Sequence, residues 1–246
     1  MMKKSMKRGI SALVAAFAVP GALLVAVPAQ ADIAPEGGLP ETVTADALPT
    51  VQINGVVWDQ EIVGNTVYVG GQFTMARPAG AAAGVNETAR ANLLAYNLQT
   101  GELIDSWAPS ANAQVKSISS NADGSVIYVA GHFTQINGTN RGRVAALDPV
   151  TGALKTNVTT AFDSAIYSVH WTPEALYVGG SFTRAGSLTR NRVAAISPSN
   201  GQVLPFSPTI ADRNVQTITT NPAGDKVVIG GASTSANGSN NPGYGL

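Results

Sequence analysis

The stretch "DGSVIYVAGHFTQINGTNRGRVAALDPVTGAL", residues 123–154, decides the fold, because most of it is written again elsewhere in the chain. Its centre, "VIYVAGHFT" at 126–134, returns as "TVYVGGQFT" at 66–74, "ALYVGGSFT" at 175–183 and "KVVIGGAST" at 226–234. Aligned on this segment, Phe73, Phe133, Phe182 and Ser233 lie 60, 49 and 51 residues apart. A second element keeps the same rhythm: "RANLLAYNLQTGELIDSWAP" from Arg90, "RGRVAALDPVTGALKTNV" from Arg141 and "RNRVAAISPSNGQVLPFSP" from Arg190. A third precedes each copy: "VVWDQEI" at Val56, "VKSISS" at Val115, "IYSVHW" at Ile166 and "VQTITT" at Val215.

Each unit of about 50 residues reads as four short strands. Asp123-Gly124 is a hairpin turn between the first and second. The second is rich in β-formers, and its glycines Gly71, Gly131, Gly180 and Gly231 leave room for a neighbouring backbone. The "RVAAL" element is the third strand, and a turn on Asp148-Pro149 and Thr151-Gly152 leads to the fourth. Four strands at this period predict an all-β protein, a β-propeller of four-stranded blades. "NPGYGL" falls where the third strand of blade four is due, so the expected ring is incomplete, at about three and a half blades. On this reading the sequence is the N-terminal portion of a longer propeller.

Composition agrees. Gly and Pro are abundant, 26 and 14 residues, and charged residues make up only 12%, which suits short strands and many turns. Residues 1–31 hold Lys3, Lys4, Lys7 and Arg8, an apolar run from Ile10 to Val27, and small Ala29 and Ala31. That is the pattern of a signal peptide cleaved after Ala31. Residues 32–48 read as a flexible linker and 49–246 as the propeller repeats, with no membrane span left after cleavage. The expected location is secreted, extracellular or wall-associated. Without residues 1–31 the chain has 11 basic and 15 acidic residues and no basic run, which argues against nucleic acid. The absence of cysteine excludes disulfides, thiolate metal sites and a Cys nucleophile.

The quoted repeat resembles the Kelch-like and delta-sixty propeller repeats of secreted bacterial proteins, actinobacterial ones especially. The likeness runs over roughly residues 49–246 and implies the propeller fold, with an extracellular binding or display role. A weaker likeness is to quinoprotein blades and their Ala-x-Asp-x-x-Thr-Gly-x-x-x-Trp docking motif. Ala146, Asp148, Thr151 and Gly152 follow it, but Thr156 replaces the tryptophan, and Trp107 of the preceding repeat comes two residues late. No quinone site is carried over, and no cofactor is expected.

Repetition separates scaffold from site. A residue found in every blade builds the blade; a ligand touches each blade differently and breaks the symmetry. By this test Arg90, Arg141 and Arg190 are structural, expected to tie one blade to the next, as are the four glycines. Three candidates break the pattern. His132 stands where the other repeats have Gln72, Ser181 and Ala232. His170 and Trp171 together suit either of two tasks: a patch that stacks on a sugar or holds a cation, or a cap on a blade edge. The 15-residue connector Met75–Ala89 replaces six residues in blades two and three; it can line a rim site, although its Ala-Gly composition favours a tolerated surface insertion. The two histidines show no metal-site spacing, Asp105, Asp163 and Glu174 are scattered, and there is no G-x-S-x-G elbow. The expected function is therefore a non-catalytic module binding an extracellular protein or carbohydrate. The alternative is an extracellular hydrolase, lyase or oxidase with catalytic residues around the axis or in further blades.

Overall fold

The computed structural model describes residues 49–210 and 212–240; the expected leader and linker, and the segment 241–246, lie outside them. Among the described residues every regular element is a strand. Turn chemistry sets the hairpins between first and second strands. Gly124 takes φ +68°, while the Asn121 carboxamide oxygen accepts from Val126 N at 2.9 Å. Gly224 and Asn221 repeat this in blade four, with φ +73° and a 2.9 Å bond from Lys226 N.

The first strands are Val56–Val63, Val115–Ser120, Ile166–Trp171 and Val215–Thr220. The second are Thr66–Gln72, Ile127–Gly131, Leu176–Gly180 and Val227–Gly231. Third strands at Leu93–Asn97, Val144–Leu147 and Val193–Ile196 complete antiparallel sheets in blades one to three. The fourth strand of each is very short: Leu103, Leu154 and Val203 make single bridges to Tyr96, Leu147 and Ile196. The six-residue connectors form small hairpins of their own. Asn137-Gly138 and Asn237-Gly238 turn them with both residues at positive φ, the geometry that matches strand twist.

The core lies between blades. Tyr68 and Leu93 of blade one pack with Val115, Ile127 and Phe133 of blade two around Trp107. Tyr128 and Val144 of blade two pack with Ile166, Leu176 and Phe182 of blade three. Successive first strands neighbour one another and so surround the axis. Their free edges are satisfied by side chains of the preceding blade. Asp59 accepts from Ile118 N and Glu61 from Ser120 N, both at 2.9 Å. Ser117 and Ser119 accept from Val169 N and Trp171 N at 3.2 Å. Ser168 accepts from Ile218 N at 3.1 Å, and His170 Nε2 meets Thr220 Oγ1 at 3.1 Å. Two polar positions per blade therefore convert an unpaired strand edge into a contact between blades.

The Phe-Thr pair has a similar purpose. In blade one the Asn54 side chain accepts from Thr74 N and Met75 N and donates to Thr74 Oγ1. Asn112 does the same with Thr134 and Gln135. Asp163 and Asp212 occupy this position in blades three and four, where the threonine hydroxyl reverses role and donates, at 2.6 and 2.7 Å. Bonds from the side chain and backbone of Thr234 hold Asp212 down at about 2, from an ordinary 3.8. For Asp163, burial pushes upward, but the bonds from Thr183 and Arg184 outweigh it and the net shift is also downward. A depressed carboxylate contributes stability that is complete above its unfolded value, near 4, and lost as pH falls through its folded value. The urea midpoint is therefore expected to drop between about pH 4 and pH 2. The Asp163→Asn/Asp212→Asn variant, with the residue blades one and two already use, should match the parent at pH 7 and lose less on acidification. An equally steep acid loss in the variant would assign the effect to other carboxylates.

The repeated arginines hold the chain differently from expectation. Arg90 donates to Ala89 O and Asp105, Arg141 to Asn140 O, and Arg190 to Thr189 O and Leu204 O. All these partners lie in the arginine's own blade, so the residues brace the entry to the third strand and do not tie blade to blade. The inter-blade task falls to the first-strand side chains and to Trp107, which are better placed because they stand on the facing surfaces.

Candidate functional site

Each first strand carries one extra residue near its start. The register jumps between Val57 and Asp59, Val115 and Ser117, Ile166 and Ser168, and Val215 and Thr217. The unpaired residues are Trp58, Lys116, Tyr167 and Gln216. Such bulges re-aim a side chain out of the ladder. Here they occur four times at one level, one pair in from the end of the blades that carries the connectors. The scaffold position is symmetric, yet its occupants are an indole, an ammonium, a phenol and an amide.

The first three stand in a structured row. Lys116 Nζ lies 3.2 Å from the centroid of the Trp58 ring, a cation–π contact, while Trp58 remains 46% exposed. His132 stacks at a tilt on Tyr167, with ring centroids 5.7 Å apart. Burial, then the charges of Lys116 and Arg143, holds His132 below the ordinary histidine value, so it is a neutral ring at pH 7. Arg143 is fixed beneath it: its side chain donates to His132 O, and its backbone takes φ +78° to start the third strand. Burial also draws Lys116 downward.

His132 lines a cleft of about 610 Å³ between blades one and two, together with Gln72, Gln114, Asn54 and Asn112. No acidic residue lines it. Asn54 and Asn112 are committed to their threonine latches, which leaves the amides of Gln72 and Gln114 facing the cleft. A second cleft, of about 520 Å³, lies on the rim of blade one against the Met75–Ala89 connector. Its cation, Arg77, is bonded to Gln52 and Ala81 O, and the connector's strands Met75–Arg77 and Thr88–Ala89 form a small sheet with Gln52–Ile53.

The structure does not bring the three residues His132, His170 and Trp171 together as one patch. His132 stands at the connector end of its blade. His170 and Trp171 stand at the opposite end of theirs, where Trp171 pairs with Leu176 next to the hairpin. His170 occupies an inter-blade rung, the position held by Glu61 and Ser119 in blades one and two. Burial lowers it while Glu61 opposes the shift. Trp171 packs against the core shared by blades two and three. Trp58, Lys116 and Tyr167 are missed by sequence reasoning, although the aligned first strands carry the signal. The first position is always Val or Ile, and the next changes from Trp to Lys to Tyr to Gln. Among the described residues no group of three His, Asp or Glu is placed to hold a metal ion.

Residues 121–154 match a family described as "Domain of unknown function (DUF5122) beta-propeller". The WD40 repeats of RRP9 superpose on 77% of this chain and 52% of their own, with a TM-score of 0.50 and 8% identity. The chain is a β-propeller. The WD40 β-propeller domain of Doa1 covers 72% of this propeller and 48% of its own chain, at TM-score 0.49 and 14% identity. The computationally designed Ika4 protein covers 72% and 86%, at TM-score 0.47 and 14% identity. The propeller thus spans about half the length of the WD40 structures it matches. At these identities the likeness concerns fold alone. Among curated proteins none matches the sequence.

Proposed function

We propose that this is a secreted or cell-surface propeller, of the Kelch-like and delta-sixty kind its repeats resemble, that binds an extracellular ligand at the connector end of its axis. The observation that carries this reading is the bulge row: one scaffold position, repeated four times, presents Trp58, Lys116, Tyr167 and Gln216, and Tyr167 stacks on His132, which lines an acid-free cleft. The carboxylates nearest the axis are already engaged. Asp59 and Glu61 accept backbone N–H groups of the next blade, and Asp163 and Asp212 hold their threonines. The site is one for recognition and not for proton transfer. The basic and apolar residues 1–31 support export.

The test is expression with the leader in place, followed by adsorption of the exported protein to intact cell surfaces. The mature protein is expected to begin at Asp32, and Trp58→Ala to be released into the medium with its stability unchanged. Retention of Trp58→Ala at the parental level would overturn the assignment of the site.

A further inference from the structure

Resting on that reading, we infer that the ligand is a carboxylated polysaccharide, a chain of uronic-acid type, with Lys116 receiving the carboxylate. Three features converge on this class. First, Lys116 is held without an acid. The described ion pairs are Arg90–Asp105 and Lys155–Asp148, and Lys116 makes no hydrogen bond to protein among the described residues. Its ammonium is fixed against the indole, 3.2 Å from the centroid, so a ligand anion meets a cation already positioned. Second, the field at the site opposes that of the protein. From residue 32 onward the chain carries four more acidic than basic residues, yet the cleft has no acid and His132 feels the charges of both Lys116 and Arg143. Local positive potential on a mildly acidic body selects an anion at this point and repels it elsewhere.

Third, the groups around the cation suit a sugar ring. Trp58 and Tyr167 offer aromatic surface for the apolar C–H faces of pyranose rings. Gln72, Gln114 and neutral His132 offer donors and acceptors for hydroxyls. The donors here are an ammonium, amides and an imidazole, and the neighbouring Arg143 guanidinium donates to His132 O. Trp58, Lys116 and Tyr167 extend over three blades, a length suited to consecutive sugar units. An acidic peptide would satisfy Lys116 but would make little use of the two aromatic faces.

The experiment is calorimetric titration of the full chain with trigalacturonate, the neutral trisaccharide galactotriose and polyglutamate. Trigalacturonate is expected to bind, and galactotriose and polyglutamate to bind at least tenfold more weakly. Lys116→Met, which keeps the stem over Trp58, should weaken trigalacturonate at least tenfold, because a charge-assisted bond is lost. Lys116→Arg should recover most of it. Trp58→Ala should weaken it comparably, with urea unfolding of each variant as the control for folding. Galactotriose binding as tightly as trigalacturonate and still failing in Trp58→Ala would overturn the carboxylate inference and leave the binding site standing. Preference for polyglutamate would likewise overturn the polysaccharide. Parental affinity in both Lys116→Met and Trp58→Ala, or no binding of any of the three, would overturn the inference as a whole.

Discussion

Replacing Trp107 by alanine is expected to cost about 3–5 kcal/mol of stability, enough to unfold much of a marginal domain at 25 °C. Trp107 is 1% exposed, the largest of the fully buried side chains. It stands after the fourth strand of blade one and reaches into blade two. Its indole N–H donates to Asp148 O at 3.0 Å, and its ring meets Tyr68 edge-on at 4.9 Å. Tyr68 in turn donates from its hydroxyl to Pro149 O at 2.8 Å. Two aromatic residues of blade one thus clasp the third-to-fourth-strand turn of blade two. Alanine removes the packing, opens a cavity and leaves Asp148 O without that donor. Trp107→Phe should keep the edge contact and lose the hydrogen bond, at about 1–3 kcal/mol. A double-mutant cycle with Tyr68→Phe is expected to show coupling, because both bonds grip one turn. Urea denaturation gives all three values. A Trp107→Ala variant within about 1 kcal/mol of the parent would mean that the blades are held together without this clasp.

Trp107 also shows what the sequence could and could not disclose. Set against the quinoprotein motif, its tryptophan comes two residues late, yet it still docks into the next blade. In blade two Asn157 donates to Pro198 O at 2.6 Å, the counterpart of the Pro149 O that Tyr68 holds in the blade before. A phenol and an amide thus grip the equivalent proline carbonyl from different places in the repeat, and no pattern of residue types would group them. The repeats within the chain, their strand order and turn positions were legible, since they rest on local chemistry repeated four times. The Asn54, Asn112, Asp163 and Asp212 latch was hidden, because its threonine partner is 20 to 22 residues away and the pair forms only after the blade has folded. The bulge row was hidden for a different reason. A one-residue register shift is invisible in a run such as "VKSISS" until its partner strand is aligned against it.

The second large effect concerns the paired glycines, whose members are not equivalent. A Cβ on Gly131 would lie 2.3 Å from Gln114 O and 2.9 Å from Val115 Cα. The corresponding approaches are 2.2 Å to Val56 O for Gly71, 2.2 Å to Ala165 O for Gly180 and 2.4 Å to Asn214 O for Gly231. Each is a collision with backbone at the entry to the blade's own first strand, two residues before the bulge residue, so no rotamer change relieves it. Gly131→Ala and Gly180→Ala are therefore expected to cost about 3 kcal/mol or more, at the upper end of overpacking. The preceding position behaves otherwise. Blade two already has Ala130 there, and in blade four a Cβ on Gly230 would meet only Thr217 Cγ2, at 2.6 Å. Thr217 is exposed and can turn away, so Gly230→Ala should change stability by less than about 1 kcal/mol, the loss of chain freedom in the unfolded state offsetting the contact. Urea midpoints of the three variants separate these expectations. A Gly131→Ala protein as stable as Gly230→Ala would show that the first strand can yield at its bulge, and that the second glycine of each pair does not depend on the close backbone approach.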